Sequence, residues 1–208
     1  MRPTPAEALT IHLWSLSEDV VVEHQEKSGQ LALSSRWGVD HVERPGAAVR
    51  EALRRMELGP VVLANATPEK SELYTAVLPT LSKLSHLVVR TLGLDDLGGP
   101  LLSVFPVAAH APFTLVWLPG HRSVQLPRHV VLTVLDSGIA LEAAGSPHRV
   151  VLHRPEAALV VALLAWPVTP DTATATLPLP PQITEGVIRY LVAAGMAAPS
   201  EARSGSVD

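Results

Sequence analysis

The 208 residues contain no cysteine, which excludes both a disulfide framework and thiolate metal sites. Aromatic residues are scarce at 4%, so any core must be built from Leu, Val and Ala. Positive charge is not in excess: 16 Lys and Arg stand against 20 Asp and Glu, a net charge of −4. A nucleic-acid partner would need a basic face, so none is expected. The one local basic group, Arg50, Arg54 and Arg55, reads as a solvated helix face. Long hydrophobic runs are missing too. The longest, Ala157 to Val168, is too short to span a bilayer. The opening MRPTPAEALTIHLW lacks the basic start and apolar stretch of a signal peptide. The expectation is a soluble cytoplasmic protein with no membrane partner.

Proline, by contrast, is plentiful at 19 residues, and it punctuates the chain rather than clustering. Its spacing belongs to a larger pattern, in which the sequence echoes itself at a shift of 110. Arg44-Pro45 falls on Arg154-Pro155; Ala47, Ala48, Ala52 and Leu53 fall on Ala157, Ala158, Ala162 and Leu163. Pro60 falls on Pro170, Pro68 on Pro178, Val77 on Val187 and Leu81 on Leu191. Self-similarity through strand-like and helix-like stretches implies two copies of one small fold.

In the first copy, residues 9–16, 19–24, 30–35 and 38–42 read as short antiparallel strands, with Gly29 in the first turn. Arg44-Pro45 is expected to open a helix whose buried stripe is Ala48, Val49, Ala52, Leu53 and Met56. Thr67-Pro68-Glu69 reads as the cap of a second helix, which Pro79 should kink or end early. In the second copy, 129–135, 139–144 and 149–153 read as strands around a tight Asp136-Ser137-Gly138 turn. Helices follow over 155–165, from Thr169-Pro170-Asp171 to Pro178, and over 181–194, with Gly195 as a left-handed cap. Between the copies, 87–92, 101–107 and 113–118 are strand candidates, and this stretch is too hydrophobic to float as a linker.

Three strands and three helices per copy approximate a winged-helix unit. The expected fold is α+β: two tandem winged-helix-like modules, each a three-stranded antiparallel sheet plus three helices, joined by a β-rich connector. The boundaries are 8–92 for the first module, 93–128 for the connector, 129–198 for the second module and 199–208 for a disordered tail.

RVVLHRPEAALVVALLAWPVT (149–169) followed by LPLPPQITEGVIRYLVAAGMA (177–197) resembles the N-terminal part of SagB-type dehydrogenases, as do SSRWG (34–38), RMELGP (55–60) and RTLG (90–93). The resemblance runs from about residue 10 to residue 198. It implies the following. Such dehydrogenases oxidise azoline rings in ribosomally made peptides, thiopeptides among them, with FMN on a C-terminal catalytic domain. Their N-terminal part is similar to the small winged-helix modules that recognise leader peptides. This chain would then be the non-catalytic half of a split system. It would bring no cofactor of its own, and its partners would be a separate flavin-dependent dehydrogenase subunit and a ribosomal precursor peptide.

A direct search for chemistry finds little. His148 and His153 sit five apart on a strand and cannot pair on a metal; His12, His24, His41, His110 and His121 are dispersed. No nucleophile-elbow pattern occurs, and Leu97-Gly98-Gly99-Pro100 lacks the Lys of a phosphate loop. No catalytic, cofactor-binding or metal-binding residue is therefore assigned. Trp37 could stack on a ligand or plug an interface. A peptide adding a strand to a winged-helix unit would lie between a strand and the last helix. In the first copy that groove would be walled by Leu31, Leu33, Ser35, Leu73, Val77 and Leu81, and in the second by Val150, Leu152, Ile183, Val187 and Leu191. Each of these side chains is equally well explained as core. A DNA-binding regulator is the alternative, weakened by helices that carry only Arg189, Glu185 and Lys83. A dehydrogenase with a flavin site shared across an oligomer is the second alternative.

Overall fold

The two halves carry the same succession of elements. In the computed structural model, residues 10–25, 29–66, 70–96 and 98–200 are described. The first half runs β1 (Thr10–Leu16), β2 (Val21–Gln25), β3 (Gln30–Ser35), β4 (Gly38–Val42), α1 (Ala47–Leu58), α2 (Leu63–Ala66) and α3 (Lys70–Glu72). A π-helical turn (Leu73–Val77), α4 (Leu78–Lys83), a 3-10 turn (Ser85–Leu87) and β5 (Val88–Leu94) follow, and β6 (Pro100–Pro106) crosses to the second half. There the order is β7 (Val124–Gln125), β8 (Val130–Leu135), β9 (Gly138–Ala143), β10 (His148–Leu152), α5 (Pro155–Leu163), α6 (Pro170–Thr176), α7 (Pro181–Ala193) and β11 (Ala198–Pro199). A shift of 110 lays β4 on β10 residue for residue. Even an isolated bridge recurs, Trp14 with Val61 and Val124 with Val168.

The echo is gapless in sequence but not in space. Four residues separate β2 from β3 and two separate β8 from β9; two separate β3 from β4 and four separate β9 from β10. Leu33 therefore corresponds to Leu141, not to position 143: Leu31 pairs with Val42 as Ile139 pairs with Leu152. A two-residue slip leaves every side chain on its own face of the sheet, so the hydrophobic pattern survives it.

The strands form three antiparallel sheets: β2-β3-β4, β11-β7, and a six-stranded sheet in the order β1-β5-β6-β10-β9-β8. Each half has its own core. Leu16, Leu33, Leu53, Met56, Val77 and Leu81 gather in the first; Leu141, Val150, Val160, Val187, Ile188 and Leu191 gather in the second. β5 passes from one to the other, with Val88 in the first core and Leu92 and Leu94 in the second. β6 carries Leu101, Leu102 and Val104 into the second core and pairs with β10. The stretch expected as a connector thus supplies an inner strand of the large sheet. Phe113–Leu118, expected as a strand, is irregular, bracketed by Pro112 and Pro119, which have no N–H to donate. Its Phe113, Leu115 and Leu118 still pack on the second core.

Prolines set the helix starts differently in the two halves. Pro155 stands in the first turn of α5 as expected. Pro45 does not enter α1, which begins at Ala47 after Gly46; Arg44, at φ 44°, turns the chain before it. Pro79 is absorbed rather than ending the helix. The turn before it widens to the π form, where the Leu78 N–H donates to the Leu73 carbonyl, and Pro79 takes the first turn of α4. Thr169 caps α6, its hydroxyl accepting from the Thr172 N–H, and Gly195 follows α7 at φ 73°. The expected Thr67-Pro68-Glu69 cap, and most of the tail, lie outside the described residues. Among the described residues no helix is long and apolar enough to cross a membrane.

Candidate functional site

β4 and β10 occupy the same place in the two halves but have different neighbours. β10 lies between β9 and β6, with Val150 opposite Val104 and Leu152 opposite Leu102. Among the described residues β4 pairs with β3 alone, and its outer edge carries no strand. Its residues alternate: Val39 and His41 are exposed, whereas Asp40 and Val42 are half-buried. Asp40 Oδ2 lies 2.9 Å from His86 Nε2, which ties the strand to the turn after α4. Gly38, at φ 119°, opens β4, and the Ser35 hydroxyl accepts from the Trp37 N–H in the turn before it. The edge is short and bears an acid and an imidazole, features that keep an unpaired edge from random self-association.

The residues expected to wall the grooves lie beneath that surface. Leu31, Leu33, Leu73, Val77 and Leu81 are all in the first core, and Val150, Leu152, Ile183, Val187 and Leu191 in the second, none more than 9% exposed. Ser35 is half-buried in the β3–β4 turn. Val150 and Leu152 stand on the counterpart of β4, so the second-half equivalents of Leu31 and Leu33 are Ile139 and Leu141. The fold brings each core set together and leaves Val39 and His41 of β4 exposed.

A hydroxyl and imidazole chain crosses the large sheet. Thr91 Oγ1 on β5 is 2.9 Å from Ser103 Oγ on β6, and Ser103 Oγ is 3.0 Å from His153 Nε2 just past β10. Burial pushes the His153 pKa down, opposed by a hydrogen bond to the Ser137 backbone. Thr91 and Ser103 line an open cleft with Ser15, Glu18 and Glu57. The pair has the atoms of a nucleophile and base. However, Ser103 sits mid-strand, opposite Thr91 on one side and Val151 on the other, so its flanking backbone groups are engaged in ladders. An acyl-transfer site needs free N–H donors at the developing oxyanion. The chain is better read as a satisfied polar seam inside the sheet. No sequence spacing could have shown it, since Ser103 and His153 are 50 residues apart and meet only through strand pairing.

A second buried polar group was equally invisible. Arg90 is 6% exposed and stacks its guanidinium on the Trp14 ring, with the Phe113 ring 5.9 Å away. Burial lowers its pKa to about 9, the charge of Tyr190 opposing. Next to it, His12 Nδ1 and Tyr190 Oη are 2.9 Å apart, and burial, followed by the charge of Arg189, holds the His12 pKa down. Burial likewise lowers that of His148.

The basic group on α1 is largely spoken for. Arg54 and Arg55 both donate to Glu51, and Arg55 also donates to the Asn65 carbonyl. Hydrogen bonds from Arg54 and Arg55 bring the Glu51 pKa down to about 2. Trp37 is 38% exposed, with the Arg36 guanidinium 5.0 Å from its ring. Among the described residues no three His, Asp or Glu side chains are grouped to hold a metal. No protein-family model matches the chain, and no curated protein matches it either.

Proposed function

We propose that the chain is a peptide-binding scaffold built from two winged-helix-like modules, in which an extended peptide adds to the free edge of β4. The observation that supports this is the contrast between the halves. In the second, β6 runs antiparallel along β10 and completes the sheet over α7. In the first, the same edge of the same strand is left open. The molecule thus carries, in its own β6, an example of the strand that the β4 edge accepts. Backbone hydrogen bonds along β4 would give affinity, and the side chains of Asp40 and Val42, facing the core side of the strand, would give selectivity. Together with the resemblance to SagB-type dehydrogenases, this supports a ribosomal precursor peptide as the ligand and a flavin-dependent azoline dehydrogenase, carrying FMN, as the working partner. The chain itself turns nothing over.

The test is a fluorescence titration of the chain with the labelled leader of the precursor peptide, beside Val39→Pro. Val39 is 57% exposed on an edge strand, a position where proline is tolerated but removes a ladder donor. The expected result is binding by the parent chain and a loss of about tenfold or more in the variant, with an unchanged circular dichroism spectrum. Equal affinity of parent and variant would sink the β4 site. Absence of binding, together with failure to co-purify with the dehydrogenase, would sink the functional reading.

A further inference from the structure

The opposite end of the large sheet presents a different kind of edge. Among the described residues β8 pairs with β9 only, and its outer side carries no strand. Val131, Leu132 and Val134 are 59%, 50% and 82% exposed. The strand, VVLTVL, has no charge, no proline and no irregularity in its pairing. Exposed strand edges in monomers are normally guarded by such features, as β4 is by Asp40 and His41. Beside β8 runs an open groove against α5, lined by Leu132, Ile139, Leu152, Ala158, Leu159 and Ala162 among others, all apolar.

The first half supplies an internal control. The corresponding groove, between β2, β3 and α1, is lined by Val22, His24, Leu31, Arg50, Arg54 and Glu57. On the helix side of the groove α5 presents Ala158, Leu159 and Ala162, whereas α1 presents Arg50 and Arg54. The fold is shared, so the fold does not require an uncharged groove on the surface. Something that covers it does.

The chain's own ends do not match in chemistry. Residues 1–9 (MRPTPAEAL) contain two prolines, an Arg and a Glu, and residues 201–208 (EARSGSVD) contain three charges. A second copy of β8 does match. Faces alternate along a strand, so a two-fold axis normal to the sheet requires some residue to oppose itself. With Leu132 at the axis, Val130 opposes Val134 of the second copy and Val131 opposes Thr133. Arg128 then opposes Asp136, and by symmetry Asp136 opposes Arg128. Arg128 and Asp136 are both exposed, and neither enters an ion pair among the described residues. Centring on Thr133 instead would set Val130 against Asp136. Apolar pairing along the strand and opposite charges at its two ends therefore select one register.

We propose that two copies of the chain associate through β8, antiparallel about a two-fold axis at Leu132. The six-stranded sheet becomes twelve-stranded, and the α5 groove of each copy is covered. A six-residue strand is ~20 Å long. With the groove, the contact sits near the small end of the ~1,200–2,000 Å² of stable interfaces, so association depends on concentration in the micromolar range. The β4 edge belongs to the other sheet and stays free, so this proposal stands or falls independently of peptide binding.

Because the chain has no cysteine, Leu132→Cys supplies its sole thiol. Opposed residues in an antiparallel pair have Cα atoms ~4.5–5.5 Å apart, within disulfide reach. Under mild oxidation at tens of micromolar, most of this variant is expected as a covalent dimer of twice the 22.1 kDa chain mass, at least tenfold faster than Val39→Cys on the other free edge. In sedimentation of the chain without cysteine, Asp136→Arg should weaken association about tenfold, and Arg128→Asp with Asp136→Arg should restore it. Both sites are exposed, and an unchanged circular dichroism spectrum confirms folding. A monomer at 100 micromolar or equal crosslinking of the two cysteine variants would overturn the proposal. So would failure of the double reversal to restore association.

Discussion

Arg90 lies on β5, where every residue is buried, and it faces aromatic rings rather than a carboxylate. A cation–π contact contributes about 0.5–2 kcal/mol. Removing a charge from water costs several kcal/mol even after relaxation. The cost of desolvation is the larger, which is also why burial depresses its pKa. Arg90→Met, of similar length and no charge, is therefore expected to stabilise the fold by about 1–3 kcal/mol and raise the Tm by several degrees in calorimetry. A lower Tm would show that the ring contacts outweigh the desolvation. In the sequence, RTLG gave no sign of this environment. The alternation Val88, Arg90, Leu92, Leu94 does mark one face, but a charged residue on it reads as solvent-facing. Ser103 and His153 were illegible for another reason, because only the β6–β10 register brings them together.

The elements themselves were more legible. The strands of both hairpins, α5, α6 and α7 follow from apolar spacing and turn residues, as do the caps at Thr169 and Gly195. Proline placed the start of α5 correctly at Pro155 but not that of α1 at Pro45. Pro45 had to stay outside α1 because Gly46 takes the cap, and Pro79 is accommodated by one wide turn instead of a break. The Asp136-Ser137-Gly138 turn shows how strictly one position is fixed. Gly138 has φ 140°, and a Cβ there would collide with the backbone carbonyl of Leu152. Gly145, at φ 82°, would meet nothing. Gly138→Ala is expected to cost more than ~2 kcal/mol, since backbone cannot step aside, while Gly145→Ala costs about 1 kcal/mol from its conformation alone. Urea denaturation of the two variants checks the order. Equal losses would mean that the β9–β10 backbone yields.

At the scale of the molecule, the buried residues gather in two core clusters, one mainly in each of the halves that the sequence echo marks. The echo did not show that β5 and β6 would join the second half's sheet, because periodicity marks a strand and its buried face but not the edge it pairs with. That omission matters, since the pairing of β6 is what makes the two halves unequal. The residues first expected to wall the grooves, such as Leu33, Val77 and Leu191, recur in both halves because they build the two cores. The proposed function rests instead on an edge, at Val39 to Val42, that one half leaves open. Hydrogen exchange with and without saturating leader peptide addresses that edge most directly. Slowed exchange is expected at the amides of β4, with unchanged exchange in β10. Protection elsewhere with β4 unchanged would contradict the proposed site.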